Sequence, residues 1–162
     1  MVNKDRLFNR LMELGQIGNT EDGVYCMALS KEENEAHALV AQYMKEAGMT
    51  VHMDAAGNLV GRKEGTDPNA SVIMTGSHID TVYGGGMFDG RLGVIGGIEA
   101  VQAMTEEGIQ TKHPIEVIGY RDEEGTRFVG SYSGAGHLTG GYDHGIMSHA
   151  DKDGKTVVEC LK

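Results

Sequence analysis

The sequence predicts an α/β fold, and three observations carry this prediction. A short run of β-forming residues, SVIMTG at 71–76, is followed by apolar residues at helical spacing between Leu92 and Met104, and then by a second strand-like run, PIEVIGY at 114–120. Polar clusters come directly after both runs. In α/β sheets with this order, functional residues gather beyond the carboxyl ends of the strands, so the two clusters should meet in space.

Two helices are predicted in the first third of the chain. Leu7, Leu11 and Leu14 share one helical face, and Gly15 closes this first helix. Residues 16–28 are predicted to form a loop. Ser30 and Glu33 have the spacing of a capping box, and apolar residues keep helical spacing from there until residue 48, which predicts the second helix.

The strands can be placed from alternation and from turn residues. Residues 49–54 and 58–63 predict a hairpin, and residues 71–76 predict a buried strand that delivers His78 to its carboxyl end. Glycines 93, 96 and 97 within the following helix indicate close packing on a sheet. The glycine-rich tail from residue 130 is predicted to be irregular, with no cap signal.

Composition and charge narrow the function classes. The 162 residues fit one domain, and 14 basic against 24 acidic residues give a net charge of −10, which argues against nucleic acid or an anionic membrane as a partner. Cys26 and Cys160 lie far apart and outside any C-x-x-C pair, which favours a reducing cytoplasm. Neither a signal peptide nor a membrane span is expected.

The first polar cluster contains a His-x-Asp pair. If the strand continues, His78 and Asp80 leave the same face, so the imidazole could bind a metal while the acid orients the ring. The pair alone is more typical of simple hydrogen bonding. The glycines at 84–86 and Gly90, on either side of Asp89, permit positive φ and close backbone approach, which is typical of a loop that holds a ligand.

The second cluster places Asp122, Glu123 and Glu124 in succession after a strand. Their mutual repulsion must be offset by cations or solvent, and the stretch alone is typical of a solvated acidic turn. Beside His78 and Asp89 at a shared sheet edge, the acids become candidate ligands. One carboxylate could bridge two divalent ions, and another that does not bind metal could accept a proton from water.

Three stretches in this order, GSHIDTV, GGGMFDGRLGVIGGIEA and DEEGTRF, resemble the dinuclear-metal amidohydrolases. This family comprises N-carbamoyl-L-amino-acid hydrolases, allantoate amidohydrolases and β-ureidopropionases, and is related to aminoacylases and di-zinc exopeptidases. The segment from residue 27 to 62 is also similar to the start of the family's domain. The resemblance implies a zinc-exopeptidase-like three-layer sandwich with a mixed sheet.

The resemblance also implies roles for individual residues. His78 would be a ligand of one metal, Asp89 would bridge both, and Glu124 would be a ligand of the other. Glu123 would be the general base, and Asp80 would steer His78. The implied cofactors are two divalent metal ions, zinc or manganese, with cobalt or nickel as further candidates. The implied reaction is hydrolysis of a linear amide or carbamoyl C–N bond in an N-carbamoyl-L-amino acid or allantoate.

The chain departs from the family beyond these motifs. Relatives are much longer, carry a lid domain that forms a homodimer, and have two further metal-binding histidines without counterparts here. Residues 1–162 are therefore expected to be the N-terminal part of a catalytic domain, truncated, without the lid and inactive alone. The remaining histidines are interpreted as polar surface residues rather than substitute ligands: His37, His52, His113, His137, His144 and His149.

Two other functions stay open. The chain could be a non-catalytic truncated module that binds metal, or, within the enzyme class, part of a di-zinc peptidase or aminoacylase. Arg127 and Phe128, directly after the acids, favour the carbamoyl-type enzymes and are expected to support the loop. The expected partner is a small ureido or carbamoyl amino acid.

Overall fold

The computed structural model describes residues 1–128, 133–141 and 144–161. One four-stranded sheet and three long helices make up most of the fold. In chain order, the elements are α1 Lys4–Gly15, β1 Asn19–Thr20, β2 Gly23–Val24, α2 Lys31–Glu46, β3 Thr50–Met53, β4 Leu59–Lys63, β5 Ile73–His78, α3 Arg91–Glu106, β6 Ile115–Tyr120, α4 Ser133–Thr139, a 3-10 helix His144–Ser148 and α5 Val157–Cys160.

The sheet is mixed, with strand order β3-β4-β6-β5. The predicted hairpin is confirmed, since β3 and β4 pair antiparallel. Strand β6 runs antiparallel to β4 and parallel to β5, and α3 makes the crossover between the parallel pair. The carboxyl ends of β5 and β6 therefore lie side by side, as the sequence predicts.

Helices α2 and α3 form a layer on the sheet, and α1 packs against them. Helix α3 packs on β5 and β6, and α2 packs on β3 and β4. The glycines of α3 allow a close approach: a Cβ at Gly97 would lie 3.0 Å from Val117 Cγ1, and one at Gly93 would lie 2.7 Å from Ser77 Cβ. The predicted α/β fold with a mixed sheet is confirmed, and the sheet and this helical layer are two of the three implied layers.

The prediction that residues 71–76 form a buried strand is wrong. Strand β5 lies at the edge of the sheet, with a described strand on one side only, and Ile73 and Met74 are 53% and 47% exposed. Burial begins at the end of the strand, where His78 and Ile79 enter the interior. Apolar β-forming residues alone do not distinguish an edge strand from a central one.

The capping box predicted for α2 forms only in part. Ser30 Oγ accepts a hydrogen bond from the Glu33 N–H at 3.1 Å, as expected. The Glu33 carboxylate, however, accepts from the Leu29 N–H at 2.8 Å rather than from Ser30. Leu29 lies at φ +57°, so the chain enters the helix through a left-handed residue that Glu33 stabilises.

Two segments contain structure that the sequence patterns did not predict. Residues 16–28 include the β1–β2 hairpin, and Val24 and Gly85 exchange backbone hydrogen bonds of 2.9 and 3.0 Å, so the hairpin supports the glycine loop. The tail contains α4 and α5, and α5 begins with a capping box between Thr156 and Glu159. Residues 129–132, 142, 143 and 162 lie outside the described residues.

Arg91 is fully buried in the core, with 0% of its surface exposed. Its Nε donates to the Ile79 carbonyl at 3.1 Å and its Nη1 donates to the Leu14 carbonyl at 2.8 Å. The side chain therefore joins the end of α1 to the end of β5. In the described part of the chain, none of the helices has the length and hydropathy that a membrane span requires.

Candidate metal centre

His78 occupies the carboxyl end of β5 with one ring nitrogen already used. Its Nδ1 lies 3.0 Å from the backbone carbonyl oxygen of Asp80. A carbonyl can only accept, so Nδ1 carries the proton and the Nε2 lone pair is left available. A hydrogen bond of this kind on one ring nitrogen is what fixes the tautomer of a metal-binding histidine.

The free nitrogen of His78 faces the acidic turn after β6. Nε2 lies 3.7 Å from a Glu123 carboxylate oxygen and 3.9 Å from one of Glu124. Ligand atoms of His78, Asp89 and Glu124 all lie within 4.8 Å of one another. Ligands of one zinc ion are up to about 4 Å apart, since each bond is about 2 Å long. The structure thus brings the three predicted ligands close to the spacing that a bound ion requires.

The Asp80 carboxylate does not make the expected hydrogen bond to His78. Its Oδ1 lies 3.8 Å from His78 Nδ1, beyond hydrogen-bonding distance, and its backbone carbonyl makes that bond instead. The carboxylate accepts the backbone N–H groups of Glu123 and Glu124, at 3.3 and 3.2 Å. Asp122 precedes them at φ +54°, so the turn directs two successive N–H groups toward Asp80.

Burial raises the pKa of the Asp80 carboxyl, while His78 and the two N–H groups of the turn oppose the rise. The charge of Asp80 is therefore held by His78 and by the hydrogen bonds from the turn. Through these hydrogen bonds, Asp80 links the ends of β5 and β6.

Glycine is required at two positions of the loop that carries Asp89. Gly90 lies at φ +65°, and a Cβ there would lie 2.4 Å from His78 Cε1, so the loop passes directly over the imidazole. Gly84 lies at φ +63°, and a Cβ there would lie 2.7 Å from the Asp22 carbonyl oxygen. Gly85 and Gly86 have no positive φ, so that part of the prediction does not apply to them.

Within the described ranges, the acidic groups at this edge have no basic side chain of the protein to compensate their charge. Burial raises the pKa of Glu124, and Asp89, Glu123 and Asp80 raise it further, whereas His78 lowers it. Among the described residues, no lysine or arginine pairs with Asp89, Glu123 or Glu124. An imidazole nitrogen with several carboxylate oxygens is a donor set that suits zinc or manganese. The residues present therefore fit a divalent metal.

Asp122, the first of the three acids, does not join this group. It is 4% exposed, and burial raises its pKa to about 8, with Asp80 and Glu33 contributing. It lies near a buried polar group in which Arg121 Nε is 3.1 Å from Glu33 and Arg121 Nη2 is 3.1 Å from His37 Nδ1. The interpretation of the three acids as a solvated turn is therefore wrong for Asp122, which is buried, while Glu123 is partly exposed.

The surface interpretation of His37 is wrong. The residue is 5% exposed, and burial lowers its pKa to about 3. Burial also raises the pKa of Glu33 to about 7, against the attraction of Arg121. Glu33 and His37 are four residues apart on the face of α2 that also carries Ala36 and Val40, so their helical spacing was the signal that could have revealed them.

Arg127 and Phe128 contact the protein rather than the candidate ligands. Arg127 Nη1 donates to the Ala28 carbonyl at 2.8 Å, and its Nε donates to the Asp151 carboxylate at 3.1 Å. Phe128 is 1% exposed. These contacts anchor the residues directly after the acidic turn, in agreement with a supporting role.

The fold and the cluster together define a class: an α/β domain with a candidate divalent-metal centre beyond the ends of two parallel strands. Comparison with known proteins identifies the family within that class. Residues 48–160 match the model of peptidase family M20/M25/M40, and the chain belongs to this family. Enzymes of the family are dinuclear metal hydrolases.

Similar proteins point to the amidohydrolase branch that the sequence motifs indicate. The chain is 48% identical over 163 residues to an N-carbamoyl-L-amino acid amidohydrolase of Geobacillus stearothermophilus, covering 100% of this chain and 40% of the relative. It is 36% identical to allantoate deiminase 1 of Glycine max, covering 98% of this chain and 33% of the relative. A hydantoinase/carbamoylase family amidase from Burkholderia ambifaria superposes with a TM-score of 0.94 at 36% identity, over 99% of this chain and 40% of that one. The chain thus spans about 40% or less of the length of these relatives.

Proposed function

We propose that residues 1–162 form the N-terminal part of the catalytic domain of a metal-dependent amidohydrolase. Its reaction is hydrolysis of a carbamoyl or ureido C–N bond, in an N-carbamoyl-L-amino acid or a substrate of the allantoate type. The observation that carries the proposal is the convergence of His78, Asp89 and Glu124 in a chain that resembles such enzymes over its whole length. A cytoplasmic location and a homodimeric full-length protein stay predictions.

Three side chains would hold the metals. His78 would bind one ion through Nε2, Glu124 would bind the other, and Asp89, with two carboxylate oxygens, would contact both. When bound, a pair of divalent ions polarises the scissile carbonyl and lowers the pKa of the attacking water. Zinc and manganese fit the donor set best.

Glu123 is the residue we assign to proton transfer. It adjoins the ligand Glu124, its side chain is 37% exposed, and it lies 3.7 Å from His78 Nε2. A carboxylate that borders the metals without being needed to hold them can accept a proton from water and pass it to the leaving nitrogen. Asp80 positions this group, since its carboxylate holds the Glu123 and Glu124 backbone in one orientation.

Metal titration of the isolated chain tests the site. Calorimetry with Zn²⁺ and Mn²⁺ should show weak binding, because each ion has only part of its ligand set here. Asp89→Asn should reduce occupancy at both positions together, whereas Asp67→Asn, in the turn after β4, should change nothing. Binding that Asp89→Asn leaves intact would remove Asp89 from the site. Tight binding of two ions by the wild-type chain would refute the incomplete ligand set.

Substrate assays of a completed enzyme test the reaction. A longer protein that joins these residues to the remainder of a relative should hydrolyse N-carbamoyl amino acids or allantoate in preference to N-acyl amino acids. Preference for N-acyl amino acids would instead favour the aminoacylase hypothesis, and preference for dipeptides the peptidase one.

A further inference from the structure

A tight three-residue turn follows the proposed bridging residue Asp89. Gly90 lies at φ +65° and ψ −49°, and the Arg91 N–H donates to the Asp89 carbonyl at 2.6 Å. These values are close to those of a positive-φ γ-turn, a rare conformation that glycine permits. Such a turn keeps its shape only where the residues at its ends are held in place. The position of Asp89 therefore depends on what holds Arg91.

The side chain of Arg91 supplies this anchor. It is fully buried, and it donates to the Ile79 carbonyl from Nε and to the Leu14 carbonyl from Nη1. Ile79 directly follows His78 at the end of β5. One side chain thus ties the turn after Asp89 to the residue next to His78.

The same turn also touches the imidazole. A Cβ at Gly90 would lie 2.4 Å from His78 Cε1, so the backbone of the turn lies against the ring. The hydrogen bond from Arg91 to the Ile79 carbonyl and this direct contact join the same two segments. Together they fix the separation between His78 and Asp89.

Arginine suits this position for two reasons. Its planar guanidinium presents donors in a fixed fork, so it can hold two carbonyls on different elements at once. Leu14 lies in the last turn of α1, and the carbonyl end of a helix carries a partial negative charge that favours a cation. A lysine would keep the charge but would hold its partners as a point donor.

We propose that Arg91 is a positioning residue for the candidate metal centre, and that it holds His78 and Asp89 at the separation that ion binding requires. The inference rests on the proposed function, because that function assigns both residues as ligands. Arg91 acts through the Ile79 carbonyl and through the turn at Gly90, and is not itself a ligand. Loss of its donors should loosen both ligands although neither is changed.

Substitutions separate this role from a general contribution to stability. Arg91→Met removes the donors and should weaken Zn²⁺ binding about 10-fold or more in calorimetry, as is typical for groups that orient metal ligands. Arg91→Lys keeps the charge and one point donor, and should recover part of this loss. It also serves as the test variant if Arg91→Met does not fold.

Arg10→Met is the matched control. Arg10 is also buried, at 6% exposed, but it donates to Gln102 and Glu46, which belong to neither ligand segment. The substitution should lower stability in urea unfolding and leave the Zn²⁺ affinity of the folded chain unchanged.

The tautomer of His78 gives a second readout that needs no metal. In the wild-type chain, the hydrogen bond to the Asp80 carbonyl should give the Nδ1-protonated pattern in ¹⁵N side-chain spectra. The spectra are recorded without metal at a pH of about 8, where imidazoles are neutral. Arg91→Met should add the Nε2-protonated form, because the backbone from 78 to 80 is no longer held, whereas Arg10→Met should not.

Unchanged Zn²⁺ affinity and an unchanged His78 tautomer in both Arg91 variants would overturn the inference. Equal losses of affinity in Arg91→Met and Arg10→Met would also overturn it, because they would show only a general effect of stability. A wild-type chain that binds no metal would instead refute the metal centre of the proposed function. In that case the His78 tautomer would still decide whether Arg91 positions the imidazole.

Discussion

Replacing Gly90 by alanine should damage both the stability of the chain and its affinity for metal. Gly90 lies at φ +65°, and an alanine Cβ would approach His78 Cε1, Nδ1 and Nε2 to 2.4, 2.5 and 2.5 Å. The substitution therefore combines an unfavourable backbone conformation with a clash against the proposed ligand itself.

The magnitude can be worked out from these two effects. A left-handed conformation costs a non-glycine residue about 1–2 kcal/mol. Normal carbon contacts are about 3.5–4 Å, so the imidazole or the loop must move by about 1 Å, and overpacking of this kind costs about 1–3 kcal/mol. The total, about 2–5 kcal/mol, is a large share of the roughly 5–15 kcal/mol that stabilises a typical domain.

Gly86→Ala is the matched control within the same loop. No atom lies within 4 Å of a Cβ built at Gly86, and its φ is not positive. Urea unfolding without metal should show Gly90→Ala destabilised by the amount above and Gly86→Ala nearly unchanged. Calorimetry under conditions where both variants are folded should show weaker Zn²⁺ binding for Gly90→Ala alone.

Equal stability and equal metal affinity in the two variants would refute the reasoning, because it would show that the loop can leave His78 without loss. A destabilised Gly90→Ala variant with full metal affinity would keep the steric argument and remove His78 from the ligand set.

Three further predictions concern other parts of the chain. In a completed enzyme, Glu123→Gln should keep both metals and lose about 10²–10⁴ in turnover, and unchanged turnover would exclude Glu123 as the base. The folded-state pKa of His37, about 3, lies below its ordinary value of 6.5. The contribution of neutral His37 to stability is therefore complete above pH 6.5 and is lost as the pH falls toward 3. His37→Gln should flatten this acid dependence in urea unfolding, and parallel pH profiles of the variant and the wild type would contradict the prediction. Ile73, exposed on the open edge of β5, should promote self-association. Sedimentation velocity should show less self-association for Ile73→Lys than for the wild type or for Ile109→Lys. A wild-type chain that stays monomeric at high concentration would contradict the prediction.

Local patterns in the sequence were sufficient for most of the fold. Helical spacing and caps predicted α1, α2 and α3, and alternation predicted the β3–β4 hairpin, because these signals depend on neighbours within a few residues. The edge position of β5 depends on which strands pair with it, and a run of β-forming residues carries no information about that. The short β1–β2 hairpin was missed because it is held by a contact with Gly85, far along the chain.

The sequence predicted which residues form the candidate site, but not the contacts between them. Strand order placed His78 and the acidic turn at the same sheet edge, and the structure agrees. The hydrogen bonds that the backbone of the turn donates to Asp80, and the burial of Asp122, could not be predicted, since both depend on one left-handed residue after β6. His37 and Glu33 were missed because polar residues on a helix are usually solvated.

The contact between Arg91 and the carbonyl of Leu14 has a practical consequence for any attempt to shorten the protein. Deletion of the first fifteen residues would remove the Leu14 carbonyl, an acceptor of the Arg91 guanidinium, and would uncover this buried side chain next to the histidine end of β5. Such a deletion should therefore disturb the sheet edge that carries the candidate metal centre. The amino-terminal helix is best regarded as a structural support of that edge, and a tag or fusion partner should be joined before Asn3 rather than in place of the helix.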